Sequence, residues 1–216
     1  MATVNLYGLE RSVYTRIARL ALEEKAIAYA LNEVEIFGPQ GVPPEHFGRH
    51  PFGRIPALEH RGFWLYETNA ITRYVDEAFV GPVLQPEDPK LRARLNQVVG
   101  LLDSYAYRPM VWGVFVERVR KARNGTPPDE AKIAASMAAA RTCVEALAAI
   151  VTCKPYLLTG TISLADIHAY PILRCFALAP EGAALLAEHE SLQRWMAKIA
   201  ARPSAVRTRS RYELEA

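Results

Sequence analysis

The sequence predicts an α/β domain followed by an all-α domain, on three observations. Residues 3–79 alternate short β-prone runs with amphipathic segments, in the order βαβ and then ββα. Residues 81–89 (GPVLQPEDP) contain three prolines and two acidic residues, which is typical of a linker. The rest of the chain shows only helical periodicity. We therefore expect an α/β domain over 1–82, a linker over 83–90 and an all-helical domain over 91–216.

The first predicted unit is strand–helix–strand. Thr3–Tyr7 (TVNLY) is short and β-prone, and Gly8 ends it. Apolar residues recur at helical spacing over Val13–Lys25, and Tyr29–Ile36 alternates apolar with polar residues as a strand does. Two neighbouring strands joined by a helical crossover should be parallel, with a right-handed connection.

The second predicted unit is strand–strand–helix. The Gly- and Pro-rich run Phe37–Pro44 is expected to be a loop. Pro56–Glu59 and Phe63–Tyr66 are short strands separated by the turn at residues 60–62, and so short a turn makes them antiparallel. Glu67–Phe79 returns to helical periodicity, which completes a small mixed sheet with helices on its faces.

Beyond the linker the pattern predicts helices over Lys90–Arg123, Asp129–Val151, Ser163–Leu178 and Ser191–Ala201, the first interrupted locally by Pro109. Ser163 can cap the third helix while Asp166, three residues on, reaches back to the Ser163 amide. We expect this capping box to serve folding rather than catalysis.

Composition and charge exclude several classes of protein. Half of the residues are apolar and the formal net charge is only +3, so we expect no nucleic-acid partner. The basic cluster Arg207, Arg209 and Arg211 is expected to be a solvated tail. No apolar run approaches the ~20 residues of a membrane span, and no signal-peptide pattern follows Met1.

The three cysteines, Cys143, Cys153 and Cys175, form no CxxC pair. This usage suits a reducing compartment, so we expect a cytoplasmic protein without a metal site.

The run Arg54-Ile55-Pro56 places a proline immediately before a strand, where it cannot donate to the ladder. In thioredoxin-like folds this proline is cis, and the backbone N–H and C=O of the preceding residue face an extended peptide ligand. We therefore predict a cis Ile55–Pro56 bond with Ile55 facing such a ligand. The alternative is a Pro- and Gly-rich turn without a ligand role.

Glu67 and Thr68 follow the last strand and open a helix. The helix N-terminus attracts a ligand carboxylate, and the Glu67 carboxylate can accept from a ligand ammonium. A γ-glutamyl group carries both charges on one carbon. The alternative is that the two side chains only cap the helix.

Several motifs resemble those of one family in the right order along nearly the whole chain. HPFGRIPAL followed by ETNAI is similar to NPFGQVPAL and ESRAI, the glutathione-site signature of phi- and theta-class glutathione transferases. Ser12-Val13-Tyr14-Thr15-Arg16 resembles the phi-class catalytic serine segment. Residues 105–109 (YAYRP) and 161–166 (TISLAD) resemble motifs of the family's second domain.

The resemblance implies a thioredoxin-like domain that binds glutathione as co-substrate through Arg54, Ile55, Pro56, Glu67 and Thr68. Ser12 would donate a hydrogen bond to the thiolate. Tyr7 is the runner-up, because other classes use a tyrosine at the end of the first strand, and Tyr14 or Thr15 are further alternatives. A serine at this position is also an ordinary helix N-cap.

Two departures from the family pattern concern how glutathione is held. The family's glutamine is Arg54 here, and residues 38–44 (GPQGVPP) replace the lysine-bearing segment that holds the glycyl carboxylate. Either Arg54 or His46 can take over that carboxylate.

The resemblance further implies an apolar electrophile pocket lined by Val13, Tyr14, Tyr107, Met110, Val111 and Phe115; the alternative is that these residues belong to a packed core or a subunit interface. It also implies a homodimer that uses the Glu67–Phe79 helix and the long helix starting near Lys90.

The expected activity is detoxifying transfer of glutathione to a hydrophobic electrophile, with glutathione peroxidase or dehalogenase activity at the same site. The alternative is a weakly catalytic module of this fold kept for protein interaction.

Overall fold

The computed structural model describes residues 4–153 and 155–214. Its first part contains β1 (Val4–Gly8), α1 (Val13–Glu24), β2 (Tyr29–Glu33), a 3-10 turn (Pro44–Gly48), β3 (Ala57–His60), β4 (Phe63–Tyr66) and α2 (Thr68–Ala78). The four strands form one sheet in the order β2-β1-β3-β4. β1 and β2 are parallel, and the other two pairings are antiparallel. The predicted βαβ-ββα architecture is confirmed; Thr3, its predicted first residue, lies outside the described residues.

Side-chain alternation in β1 directs Val4 and Leu6 into the core, where both are fully buried. Helices α1 and α2 contact each other and bury Ile17 and Ile71 completely. Gly8 permits the close approach of α1, since a Cβ at this position would lie 2.3 Å from the Thr15 Oγ1.

Strand β2 is shorter than predicted, because it ends at Glu33 rather than Ile36. Glu33 pairs with Gly8, the last residue of β1. The Val34 N–H still donates to the Gly8 carbonyl at 3.2 Å, but no strand lies beside the residues that follow. Alternation alone gives no sign of where the neighbouring strand ends.

The second part contains α3 (Pro89–Leu101), α4 (Lys121–Arg123), α5 (Glu130–Ile150), α6 (Leu164–Phe176), α7 (Pro180–Ala187) and α8 (Glu190–Ala200). Asp166 accepts from the Ser163 N–H at 2.8 Å, as the predicted capping box requires. The buried Asp166 also accepts from the Leu157 N–H and the Trp195 indole, each at 2.8 Å. It therefore ties the loop before α6 to α8, in keeping with its predicted role in folding.

The long helix of residues 89–123 is not broken at Pro109. Instead, π-helical hydrogen bonding covers Leu102–Ala106 and Arg108–Arg120. The Tyr107 N–H donates to the carbonyl of Leu102, five residues earlier. The Lys121 N–H donates in the same way to the carbonyl of Val116. The wider helix accommodates a residue that lacks an N–H donor, so the chain keeps its direction.

Helix α5 has the length and mean hydropathy, 1.5 over its most apolar window, of a membrane span, contrary to the sequence expectation. Alanine supplies much of this hydropathy, and the helix also contains the charged residues Lys132, Arg141 and Glu145. α5 contacts the π-helical segments and α7, and its Ile133, Val144 and Leu147 are buried. A helix of a folded all-α domain meets the same test of length and composition.

The described residues form two compact units: 4–84 with 203–214, and 85–202. The sequence had placed the C-terminal residues with the helical domain, but the last helices, α9 (Pro203–Arg207) and α10 (Arg211–Leu214), belong to the first unit. The buried Arg16 of α1 forms an ion pair with the buried Glu213. The segment is packed through the buried Thr208 and Tyr212, so it is not a tail, although Arg207, Arg209 and Arg211 are exposed as expected and Arg207 pairs with Glu23.

Candidate functional site

The register of the sheet brings the predicted site residues of the first unit to one edge. Tyr7 at the end of β1 pairs with Ala57 at the start of β3, which pairs with Tyr66 at the end of β4. Ile55 and Pro56 directly precede β3, Glu67 and Thr68 directly follow β4, and Ser12 follows the end of β1 by four residues. The topology therefore brings to one end of the sheet side chains that are up to 61 residues apart in sequence.

Ser12 is the N-cap of α1, with extended backbone (φ −77°, ψ 130°). Its Oγ accepts a hydrogen bond from the Thr15 N–H at 3.3 Å. The cap uses a lone pair of the hydroxyl, so the hydroxyl proton remains available to donate elsewhere. Capping and donation to a thiolate are therefore compatible functions of one side chain, and the positive end of the helix dipole favours an anion there.

The alternative hydroxyl groups differ in exposure and surroundings. Thr15 is fully buried, so its hydroxyl cannot reach a ligand at the surface. The Tyr7 ring packs against a buried cluster of Leu9, Val34 and Ile55, and its centroid lies 5.3 Å from that of Trp64. Tyr7 thus lines the sheet face beside the site, while Tyr14 is half-buried in the first turn of α1.

The Ile55–Pro56 peptide bond is cis, as predicted from the sequence. Ile55 is 8 % exposed, yet among the described residues its backbone N–H and C=O have no hydrogen-bond partner. Buried backbone groups are nearly always paired in folded proteins. An extended ligand backbone running past Ile55 would satisfy both groups, as an added strand does.

The N-terminus of α2 has no side-chain cap, because Glu67 occupies the N-cap position without such a hydrogen bond. The alternative that Glu67 and Thr68 only cap the helix is therefore not what the structure shows. Glu67 has φ 69° and ψ 115°, a conformation that is costly for a residue with a Cβ. Its exposed carboxylate stands beside the uncapped N–H groups of the first turn, where a γ-glutamyl group can bind through both of its charges.

Arg54 is exposed and forms no ion pair within the part of the chain that the structure describes. His46 is fully buried, and its Nε2 lies 2.7 Å from the Arg54 carbonyl oxygen. Of the two residues proposed for the glycyl carboxylate, only Arg54 is therefore accessible to a ligand. His46 instead holds the backbone of the Arg54 segment.

His50 is buried at 2 % exposure, and its ring centroid lies 4.8 Å from that of Tyr66. Burial lowers the pKa of His50, and the positive charges of His46 and Arg54 act in the same direction. The Glu67 carboxylate opposes them. The Phe52 N–H donates to His50 Nδ1 at 3.4 Å, so the neutral ring carries its proton on Nε2.

Arg49 is a site-edge residue that sequence reasoning missed. Its guanidinium carbon lies 4.6 Å from the centroid of the Tyr7 ring, a cation–π contact. It forms no ion pair within the described ranges 4–153 and 155–214. The sequence around Arg49 did not indicate this contact, because Arg49 reaches Tyr7 only through the 3-10 turn that precedes Arg49.

The predicted electrophile-binding residues fall in both units. Val13 and Tyr14 are half-buried in the first turn of α1. Met110, Val111 and Phe115 are buried in the π-helical segment of the second unit, and the half-buried Tyr107 accepts from the Trp112 indole at 3.2 Å. In the described part of the chain, no group of three or more His, Cys, Asp or Glu side chains is placed to hold a metal ion.

Comparison with known proteins places both units in one family. Residues 11–78 match the glutathione S-transferase N-terminal domain, and residues 83–203 match the C-terminal domain. The chain belongs to the glutathione S-transferase family. Among its relatives, glutathione S-transferase 4 of Zea mays is 30 % identical over 95 % of this chain and 92 % of its own.

Two further relatives bear on the fold and on the function of this glutathione S-transferase. Glutathione transferase F7 from Populus trichocarpa is 26 % identical, with a TM-score of 0.81 over 95 % of this chain and 97 % of its own. This likeness confirms the thioredoxin-like domain and the helical domain. A stringent starvation protein A homolog of Pasteurella multocida is 28 % identical over 79 % of this chain and 73 % of its own, although its name is not that of a transferase.

Proposed function

We propose that the protein is a serine-type glutathione transferase, in which the Ser12 hydroxyl donates a hydrogen bond to the thiolate of bound glutathione. The reaction adds this thiolate to a hydrophobic electrophile. The proposal rests on three features that lie at the same end of the sheet. The Ser12 N-cap of α1 has a hydroxyl proton to donate, the Ile55 backbone has no hydrogen-bond partner among the described residues, and the N-terminus of α2 has no side-chain cap there. These three features suit the thiol, the peptide backbone and the γ-glutamyl group of glutathione.

Charge complementarity supports this assignment. Glutathione carries two carboxylates and one ammonium group at neutral pH. The Glu67 carboxylate suits the ammonium, the first turn of α2 at Thr68 suits the γ-glutamyl carboxylate, and the Arg54 guanidinium suits the glycyl carboxylate. Ile55 binds the cysteinyl backbone between them, since the ladder between β1 and β3 begins only at Ala57.

The site must make a thiolate from a thiol whose free pKa is near 8.5. Lowering that pKa by about two units requires roughly 2.7 kcal/mol of preferential thiolate stabilisation. A charge-assisted hydrogen bond from Ser12 supplies much of this, and the N-terminus of α1 adds about 0.5–1 kcal/mol. A serine hydroxyl is too weak an acid to act as the base, so Ser12 is a donor.

The electrophile is expected to be apolar, since the residues assigned to its binding are Val13, Tyr14, Tyr107, Met110, Val111 and Phe115. An organic hydroperoxide could be reduced at the same thiolate, with two glutathione molecules yielding the disulfide, an alcohol and water. Both activities draw on one activated thiol, and both serve detoxification in the cytoplasm.

We further propose that the enzyme is a homodimer through α2 and the long helix that begins with α3. Tyr74 of α2 contacts Phe63 of the edge strand β4, with ring centroids 5.2 Å apart, and Phe63 is 49 % exposed. Light scattering at micromolar concentration should give twice the 24.1 kDa chain mass. A single species of monomer mass contradicts the dimer.

The second candidate function is a protein-interaction module with weak or no catalysis. The relative named as a stringent starvation protein favours it, as does the loss of the lysine-bearing segment at residues 38–44. The intact Ser12 cap and the uncapped α2 N-terminus favour the enzyme.

One experiment separates the two functions. Glutathione is titrated calorimetrically into the protein, and conjugation to a dinitro-aryl halide is measured alongside an organic hydroperoxide assay. Glu67→Gln provides a matched variant, because it keeps the side-chain shape and removes the charge that pairs with the ligand ammonium. The enzyme binds glutathione and loses affinity on this change, whereas absence of both binding and turnover in the unmodified protein supports the interaction module.

A further inference from the structure

The His46 side chain donates a hydrogen bond to a backbone carbonyl of the proposed site. His46 lies in the 3-10 turn Pro44–Gly48 and is fully buried. Its Nε2 lies 2.7 Å from the Arg54 carbonyl oxygen, which can only accept, so Nε2 carries the proton. The other ring nitrogen, Nδ1, has no partner among the described residues.

The bond acts on a peptide unit that the proposed ligand uses. The Arg54 carbonyl and the Ile55 N–H belong to the same planar peptide group, and this peptide is trans, the cis bond being the next one. In a trans peptide the C=O and N–H point in opposite directions. Holding the Arg54 oxygen at one side therefore fixes the direction of the Ile55 N–H at the other.

Few hydrogen bonds hold this peptide among the described residues. Within residues 4–153 and 155–214, the Ile55 backbone groups have no protein partner, and Pro56 has no N–H to donate. The ladder with β1 begins only at Ala57. Packing of the Ile55 side chain with Leu9 and Val34 holds the residue in place, and the hydrogen bond from His46 is the polar contact that sets how its peptide plane is turned.

The ring itself stands on a fixed backbone. The His46 N–H donates to the Pro43 carbonyl, and the His46 carbonyl accepts from the N–H groups of Arg49 and His50, each at 2.9 Å. Such a doubly anchored residue can hold its imidazole at a constant position and transmit that position to the Arg54 carbonyl.

We propose that His46 is a positioning residue, which aims the Ile55 N–H at the cysteinyl backbone of glutathione through its hydrogen bond to the Arg54 carbonyl. The inference rests on the proposed function in that it takes glutathione as the ligand. Because Ile55 binds the peptide backbone and not the reacting sulfur, His46 affects substrate binding more than the chemical step.

Three substitutions of His46 test whether a hydrogen-bond donor at this distance from the backbone is needed. Gln places its amide nitrogen four bonds from Cα, as far as Nε2, so His46→Gln keeps the donor. His46→Asn is one bond too short to reach the Arg54 oxygen, and His46→Leu has no donor. The matched control is His60→Leu, which removes a hydrogen bond of the same 2.7 Å length, to Tyr74, at the other end of β3.

Two measurements are made on folded protein, well below each melting temperature. The first is glutathione affinity and steady-state kinetics; we expect Kd and KM for glutathione to rise about 10-fold in His46→Leu and His46→Asn, with kcat changed less than 3-fold. His46→Gln and His60→Leu should stay within 3-fold of the unmodified protein. The second is the nitrogen-15 order parameter of the Ile55 amide without ligand, which should fall only in the Leu and Asn variants.

The outcomes are separable. Unchanged affinity in His46→Asn, or an equal loss in His60→Leu, overturns the proposal, since the donor would then be dispensable or the effect merely one of general stability. If His46→Leu does not fold, the Gln and Asn pair still decides. If the unmodified protein does not bind glutathione, the proposed function fails, while the Ile55 order parameters still test whether His46 fixes this peptide.

Discussion

The Lys25 ammonium lies 3.2 Å from the Asp76 carboxylate, and both side chains are buried. Lys25 also donates to the carbonyls of Asp76 and Pro82, at 2.9 and 3.0 Å. The Leu84 N–H donates to the same Asp76 oxygen at 2.9 Å. This cluster fastens the end of α1, the end of α2 and the start of the linker to one another within the first unit.

Breaking this buried pair should be costly because it leaves the Asp76 carboxylate buried without the Lys25 ammonium. We expect Lys25→Met to lower the free energy of unfolding by about 3–5 kcal/mol, measured by urea denaturation. The double variant Lys25→Met with Asp76→Leu should cost less than the sum of the two single changes. Arg194→Ala, which removes an exposed pair with Glu190, is the control and should change stability by under about 0.5 kcal/mol. Additive single effects would contradict the coupling.

The C-terminal helix α10 should stabilise the first unit through Glu213. We expect Glu213→Ala to cost about 3 kcal/mol, because the buried Arg16 then loses its ion pair with the buried Glu213. Arg207→Ala removes a more exposed pair with Glu23 and should cost under about 1 kcal/mol. Thermal unfolding of the two variants checks this, and equal shifts in Tm would show that burial of the pair is unimportant.

The sequence was sufficient for the fold of the first unit because local signals agree with the tertiary contacts there. Gly8, the residue 60–62 turn and the Pro56 strand start each set a boundary by backbone geometry, and the cis bond followed from Pro56. The same reasoning places Glu67 and Thr68 between the end of a strand and the start of a helix, while Ser12 was singled out by the resemblance to the phi-class serine segment; the binding roles of all three stay predictions.

What the sequence did not yield depends on contacts between distant residues. Helix α7 was not predicted; its Gly182 lies where a Cβ would meet the Phe176 carbonyl oxygen at 2.1 Å, a contact that no local pattern shows. The packed C-terminus was mistaken for a tail because the acidic partners of Arg16 and Arg207 are about 190 residues away in sequence. The role of His46 as a partner of the Arg54 backbone was likewise invisible, because a histidine looks the same whether it faces a ligand or a carbonyl.

Stability should fall in mildly acidic solution because of His50. Its pKa is lowered in the folded state, mainly by burial, so below the ordinary value near 6.5 the unfolded chain binds a proton that the folded chain does not. Unfolding then takes up protons, and stability decreases as pH falls from about 7. We expect His50→Asn to flatten the dependence of the unfolding free energy on pH between 5 and 7. An identical slope in both proteins would show that His50 titrates alike in the folded and unfolded states.

The last prediction concerns Ser12, whose two roles can be separated by substitution. Ser12→Ala removes both the proton donor and the cap on the Thr15 N–H. We expect turnover to fall about 10²-fold, the scale of losing about 2.7 kcal/mol, and stability to fall by about 1 kcal/mol. Ser12→Asp keeps a capping oxygen but has no proton at neutral pH, so it should retain stability and still lose turnover. Chemical denaturation and conjugation rates on the same samples measure the two effects.

The thiol of bound glutathione reports which group activates it. With Ser12→Ala its pKa should rise toward the free value, seen as lost thiolate absorbance near neutral pH, while glutathione affinity changes less because Glu67, Thr68 and Arg54 still hold the ligand. Tyr7→Phe should leave the thiol titration nearly unchanged, since the Tyr7 ring packs against Trp64 and the Arg49 guanidinium and phenylalanine keeps that ring. If Tyr7→Phe instead raises the thiol pKa and Ser12→Ala does not, the tyrosine is the donor. If neither variant alters the titration, the cap is the whole function of Ser12 and the interaction module becomes the better account.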